Sequence, residues 1–523
     1  MKAKSIIILS FMYLVAGSAL AQTQQLSGFK SINSHAISPI FDGKEVKGYT
    51  LIYKSDKADK GNDNIHIAIY DANLAPTKTI DLQKPRGKFL MLGNAYNGEA
   101  IGFYFYNFKD KRFEIESYDK NLVKLGEGMD DHKLTNSEQA SLNNSRAADE
   151  KDQGNLGYDL SIFPVANQGF ITNGILKYGK GYTLKMYDNK AHQKWSFSSP
   201  EDGDGYESIL INEVNGKYLI GNVIKRPSMM SHAMTYYFVV FDVATGKKML
   251  EVPVESNSHE QLSLNSITYD EVTNQIYIIG DYYAETDKPG NSRSKGFFFK
   301  TYGIDGKEIN KQMYSWDKDV KSKLPAEANE SLSKGAMNYT HKVLKGDDGK
   351  FYLVCEQFSK AASGAGIAMM AMGGSASVTK AILWNMLIYV LNKDLTLSEV
   401  KLFPKDKTSA ELPPGADFFG PGMVGMIMKM QGLFDYQFTQ TANDGKSFDV
   451  VYVNYDKEKG ESTKRVLGNI IISPDGKFIT DKIDITTKAT ASFLYPAKPG
   501  FLMMVDYLKK ERTVGLKLVK LNY

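Results

Sequence analysis

The sequence is short of several things, and each shortage removes a class of chemistry. A single cysteine, Cys355, stands among 523 residues, so no intrachain disulfide can form. It lies in the apolar run Phe351-Tyr352-Leu353-Val354-Cys355, which reads as a buried strand and makes the thiol a small core group rather than a nucleophile. Seven histidines are scattered at 35, 66, 132, 192, 232, 259 and 341, and none forms the one-turn pair with an intervening glutamate that zinc hydrolysis uses. His259-Glu260 lacks its second histidine, and His66 sits on an alternating strand. Charge of one sign is lacking too. Lys and Arg number 64 against 60 acids, which leaves no basic stripe for nucleic acid. Phosphate-cradling glycine motifs are missing from any strand-turn-helix setting. These gaps leave no cofactor and no metal to expect, and no catalytic residue to name.

The N-terminus carries the clearest positive signal. Lys2 and Lys4 precede the apolar run Ile6–Val15, and Ala19-Leu20-Ala21 forms a small-x-small site. This is the pattern of a cleaved signal peptide over 1–21, and the apolar run is too short for the roughly 20 residues of a membrane span. No cysteine follows it, so a lipoprotein is excluded. The expected mature chain, 22–523, is periplasmic or secreted, and loss of two lysines takes its formal charge from +4 to +2.

Two short patterns recur along that chain. In the first, a turn precedes an aromatic and an apolar run; its aromatics are Tyr49, Phe89, Phe170, Tyr218, Tyr277, Phe351, Phe448 and Phe501. Glycine suits the turn because it accepts positive φ, and the run that follows is strand-like. In the second, an alternating strand ends in an Asp or Asn turn, as at Tyr70-Asp71-Ala72-Asn73-Leu74, Tyr118-Asp119-Lys120-Asn121-Leu122 and Asn392-Lys393-Asp394-Leu395. Together they describe one antiparallel sheet of three or four strands per unit. The shortest intervals match a propeller blade of about 40–50 residues. The longer ones hold insertions: a polar stretch at 126–157 with a capping box at Thr135–Glu138, a helical or looped 317–336, and Gly/Ala/Met-rich segments at 359–380 and 405–433.

The expected fold is therefore all-β, one β-propeller of seven or eight blades, with two separate β domains as the alternative. The last unit stops three strands in, so residues 28–41 are the segment expected to complete it and close the ring. Ser473-Pro474-Asp475-Gly476-Lys477-Phe478 resembles the S-P-D-G-[KR] signature of TolB-like and WD40-like propeller blades, and the chain is similar to secreted bacterial β-propeller proteins. That resemblance implies the propeller class and no particular activity.

Several groups bear on chemistry. Gly373-Gly374-Ser375-Ala376-Ser377 ends in serine where a nucleophile elbow needs glycine, and it lies outside any α/β setting. Asp202, Asp204 and Glu207 bring three acids into one loop, but Tyr206 falls where a calcium ligand should stand, so a solvated turn is expected; Asp130-Asp131-His132 reads as a polar loop. Residues 361–377 and 420–432, with seven or so methionines, read as loops that cap one end of the ring, meet a partner or membrane surface, or hold copper(I) by thioether. The function these observations favour is a binding or scaffold module for protein or glycan partners. The alternative is a polysaccharide hydrolase or lyase with carboxylates drawn from several blades. A structural component of an envelope assembly is the third.

Overall fold

The computed structural model describes residues 23–522 apart from 30–31, 33–35, 43–44, 58–60, 86, 131–133, 135–138, 141, 144–161, 177–179, 201–204, 229–230, 232, 256–260, 290, 374–376, 443 and 457–463. Residues 1–21, expected as a signal peptide, and Thr135–Glu138, expected as a capping box, lie outside the described residues. Eight antiparallel sheets follow one another along the chain. Their second strands are Glu45–Lys57, Ala100–Asn107, Gly169–Ile175, Tyr218–Arg226, Gln275–Tyr283, Phe351–Ala362, Phe448–Asp456 and Phe501–Leu508. Seven of the eight aromatics that mark the first sequence pattern fall on these strands. Phe89 instead opens the first strand of blade 2, Phe89–Tyr96, because the positive-φ turn at Gly87 precedes that strand.

Two-fold periodicity gives each sheet two apolar faces. In blade 5, Ile276 and Ile278 pack toward blade 4, while Tyr277 and Ile279 pack toward blade 6. One such core fills each of the eight junctions between neighbouring blades, and that between blades 8 and 1 joins Met503, Val505 and Leu516 to Tyr49, Leu51 and Ala68. The Asp turns join third to fourth strands. In blades 1 and 2 the carboxylates of Asp71 and Asp119 each accept two backbone N–H bonds at 2.8 Å. The following Leu74 and Leu122 take φ near +60° with their side chains buried between blades. Ser473-Pro474-Asp475-Gly476 makes the corresponding turn in blade 7, with Gly476 at φ +78°.

The ring closes as a four-stranded eighth blade, but with a different segment from the one expected. Thr23–Ser27 pairs antiparallel with Thr513–Lys517 and is its outermost strand. Its alternating exposure, polar side chains outward, suits an outer edge. Of residues 28–41, Ile37 onward forms the first strand of blade 1 (Ile37–Asp42), and the buried Phe29 donates its N–H to the Arg512 carbonyl at 3.0 Å.

The insertions also differ in part. Residues 126–130 complete the fourth strand of blade 2, Lys124–Asp130. A short π-helix, Trp316–Val320, and α1, Ala326–Ser333, occupy 317–336 as expected. The Gly/Ala/Met-rich segments are helices rather than loops. Blade 6 extends its second and third strands to Ala362 and back from Thr379 (Thr379–Leu391), with α2, Gly364–Ala371, at the tip. Thr408–Glu411 adds to that third strand, and α3, Pro421–Met430, follows. Ser363 caps α2 by accepting the Gly366 N–H at 3.0 Å, and Pro421 starts α3.

A chain beginning at Gly28 tests the closure. It leaves the outer edge of blade 8 bare, so amide exchange at Val514–Leu518 should quicken about tenfold or more and the thermal midpoint should drop. Undiminished protection there would show that the ring holds without Thr23–Ser27.

Candidate functional site

Five of the eight first strands carry one extra residue that breaks register; in blade 2 it is the buried Leu92, and in four successive blades it faces one cavity. In blade 4 (Tyr206–Val214) the shift lies between Ile211 and Glu213, leaving Asn212 as the extra residue. In blade 5 (Gln261–Asp270) it leaves Asn265, in blade 6 (Met337–Lys345) His341, and in blade 7 (Tyr436–Thr441) Gln437. A bulge bends the strand and re-aims the extra side chain. All four residues line a cavity of about 400 Å³, together with Asn222, Ser266, Lys342, Thr439 and the rings of Tyr339, Tyr436 and Phe438. That volume lies within the range of roughly 300–1,000 Å³ typical of small-molecule sites. The described residues that line it include no carboxylate.

Helix α3 forms one wall through Met426, Lys429 and Met430. Val424 and Met428 are fully buried against Tyr339, Phe358 and Phe434. The glycines of this segment serve close approach. A Cβ on Gly425 would stand 2.8 Å from the Tyr339 ring, and one on Gly420 would run into the backbone of Asn291. Met423 and Met426 pack onto the core between blades 4 and 5, so α3 uses its methionines largely as packing groups. Helix α2 does the opposite: Ile367, Met369, Met370 and the adjoining Met372 are all exposed.

Behind His341 lies a buried charged cluster where blades 6 and 7 meet. The His341 ring stacks on Tyr436 at 4.4 Å and meets Phe434 edge-on at 4.7 Å. Its Nε2 stands 3.6 Å from Glu356 Oε2, and neither ring nitrogen has a hydrogen-bond partner among the described residues. Burial, helped by the nearby Lys429 charge, holds His341 well below the ordinary histidine range, so the imidazole is neutral. Glu356 accepts the Tyr436 N–H at 3.0 Å and faces Lys405 Nζ at 3.2 Å. Lys405 also donates to Asp435 at 2.5 Å, which Thr408 shares. One lysine thus serves two carboxyls, and burial raises the pKa of both Glu356 and Asp435 against its pull. In the next layer Asp281 is buried and accepts from Asn265 at 3.2 Å; burial pushes its carboxyl up to about 7. At the cavity, Lys429 lies over the Tyr436 ring at 4.8 Å, and burial and the Lys342 charge push it down to about 8.

The groups singled out in the sequence are placed elsewhere. Cys355 is buried beside Thr340, and burial pushes its thiol up to about 12. His66 pairs with Asp81 at 2.7 Å on the flank of blade 1. Glu207 belongs to a surface ion-pair group with Lys225 and Glu251. Asp130 is no polar loop residue: it is buried and bonds Lys185 of blade 3 at 2.5 Å, because the strand carries it into the blade 2–3 junction. Asp131, His132, Asp202, Asp204, His259, Glu260 and Ser375 lie outside the described residues.

The fold and the walled cavity define the class of protein, an eight-bladed β-propeller with a polar recess on its first strands. The chain belongs to the family described as "Family of unknown function (DUF6770)", whose model it matches over residues 1–522. No curated protein matches it. Among solved structures it is similar to the β-propeller domain of the Trilobed protease from Pyrococcus furiosus, with 11% identity, TM-score 0.34, and 88% of this chain and 97% of that chain covered. It is also similar to prolyl oligopeptidase B from Galerina marginata, with 9% identity, TM-score 0.39, and 92% and 54% covered. Such distant likenesses assign neither ligand nor activity.

Two substitutions test this electrostatic layout. Asp281 keeps its proton in the fold to about pH 7, whereas the free side chain loses it near 3.8. The folded state thus binds the extra proton between those values, and the stability this lends is lost as pH rises through them. Asp281→Asn should remove that slope and gain about 4 kcal/mol over the parent at pH 8 but not at pH 4, read from denaturation midpoints. Lys405→Met strands Glu356 and Asp435 and should cost about 3–5 kcal/mol at neutral pH. The loss should shrink at pH 5, where carboxyls of raised pKa take up protons.

Proposed function

We propose that this chain is an exported binding propeller that takes a saccharide-sized polar ligand in the cavity beside α3. The observation that carries the reading is the set of four bulged residues, Asn212, Asn265, His341 and Gln437, brought to one recess from four successive blades. Amide side chains both donate and accept, which matches the hydroxyl groups of a sugar, and the Phe438 ring lines the recess beside them. Lys2, Lys4, the apolar run and Ala19-Leu20-Ala21 support export. Among the described residues no carboxylate lines this recess, and Glu356 and Asp435 stand behind His341, held by Lys405. A second surface favours a further contact: α2 exposes Ile367, Met369 and Met370, and Phe418 is exposed in the segment tied to its base by the Ser377–Asp417 bond of 2.7 Å.

Purified protein titrated with a panel of oligosaccharides provides the test. Binding to at least one member should weaken about tenfold in Asn212→Ala and again in Gln437→Ala, with the thermal midpoint kept. A flat panel, or binding indifferent to both substitutions, would remove the cavity from the reading. Deletion of 420–432 is unsuitable for this purpose, because Val424 and Met428 hold the core together.

A further inference from the structure

Going beyond the saccharide reading and independent of it, we infer that the α2 arm of blade 6 seats on a lipid surface bearing anionic headgroups. Exposed apolar side chains carry the inference. Of the fourteen large apolar residues exposed among the described ones, Ile367, Met369, Met370, Met372 and Phe418 belong to this arm and the segment tied to its base. Such a concentration marks a contact surface, whereas apolar groups exposed singly do not. Their arrangement decides what covers them. Helix α2 has one buried residue, Gly366, and with about 3.6 residues per turn Ile367, Met369, Met370 and Met372 point to different sides of it. A protein surface laid against the arm would cover one side and leave the others in water. A helix apolar on every side calls for surroundings apolar on every side, and at the tip of an arm a lipid layer supplies them.

Charge at the neck of the arm agrees. Residues 361–379 contain no ionisable side chain, and the first on either side are lysines, Lys360 and Lys380. Strand pairing brings them to one level, Lys360 opposite Ala381 and Lys380 opposite Ala361. Lys360 donates to the carbonyls of Asp417 and Phe419, and Lys407 lies over the Trp384 ring at 4.0 Å. The two acids of the neck are turned to its own hydroxyls. Glu411 accepts from Ser363 at 2.8 Å, and Asp417 accepts from Ser377 and Thr379, each at 2.7 Å. Three lysines thus outnumber two engaged acids around an uncharged tip, which complements an anionic headgroup layer. Tryptophan and lysine are also the side chains suited to the boundary of lipid and water, where the apolar part faces inward and the polar end reaches out. With eight residues α2 is far short of a span, so the arm dips into the headgroup region and goes no deeper.

The full chain carrying Met372→Cys, with an NBD fluorophore on that thiol, reads the arm alone, because the chain's own Cys355 is buried. Vesicles of phosphatidylcholine and phosphatidylglycerol in equal parts should brighten and blue-shift the label, and brominated acyl chains should quench it. Adding Met369→Glu and Met370→Glu should raise the lipid needed by at least about tenfold, with the thermal midpoint unchanged because both side chains are exposed. Lys380→Gln should cost about fivefold on the mixed vesicles and little on phosphatidylcholine alone. Equal response of the parent to both vesicles would overturn the anionic preference. No response to either vesicle would overturn the lipid contact, as would a response that the two glutamates leave intact. A response that needs no lipid and grows with protein concentration would assign the arm to a second copy of the chain and overturn it too. None of these outcomes touches the oligosaccharide titration, so the two readings stand or fall separately.

Discussion

Every blade in this fold is apolar on both faces, and everything else depends on that constraint. A sheet such as Gln261–Ser315, with Ile276, Ile278 and Phe298 on one side and Tyr277, Ile279 and Phe299 on the other, cannot meet water on either. Each blade is therefore stable only between two neighbours, and the series has no natural end until the eighth meets the first. The outer strands, exposed along alternate residues, are where polarity is permitted. The first strands, facing inward, are the other place where side chains escape the inter-blade cores. That geometry puts any ligand chemistry on the inner rim.

Within this frame the molecule is lopsided. The helical additions described above are carried by blades 5 and 6, and blade 6 reaches furthest from the ring through its extended hairpin and α2. The charged cluster of Glu356, Lys405 and Asp435 pins blade 7 to blade 6 at the same place. Burying three charges is expensive, and an apolar junction like the others would serve stability as well. Their position directly behind His341 gives them a use: they fix the first strand of blade 7 and the stack that orients the imidazole.

The architecture was legible because it is periodic. Tyr218, Tyr277 and Phe351 each open the body of a second strand, and the Asp turns that follow reappear as the links to fourth strands. The signal failed where one local cue had two causes. Gly420, Gly422 and Gly425 read as marks of a loop, but they let a helix lie against Asn291, Tyr283 and Tyr339; Ser363 and Pro421 are the helix signals at those starts. The site itself was illegible. His341, Glu356, Lys405 and Asp435 come from four separate segments with no common spacing, and a bulge is a property of pairing between strands that no single strand records.

The pairing of Thr23 with Lys517 has a consequence in time as well as space. A ribosome releases Thr23–Ser27 long before Thr513–Lys520. Seven blades can form as their own hairpins emerge, yet the earlier strand must wait unpaired while all of them are made. Its polar alternate residues keep it from pairing elsewhere while it waits. Closure is then a single late event of very long sequence separation, the slowest kind of contact to make.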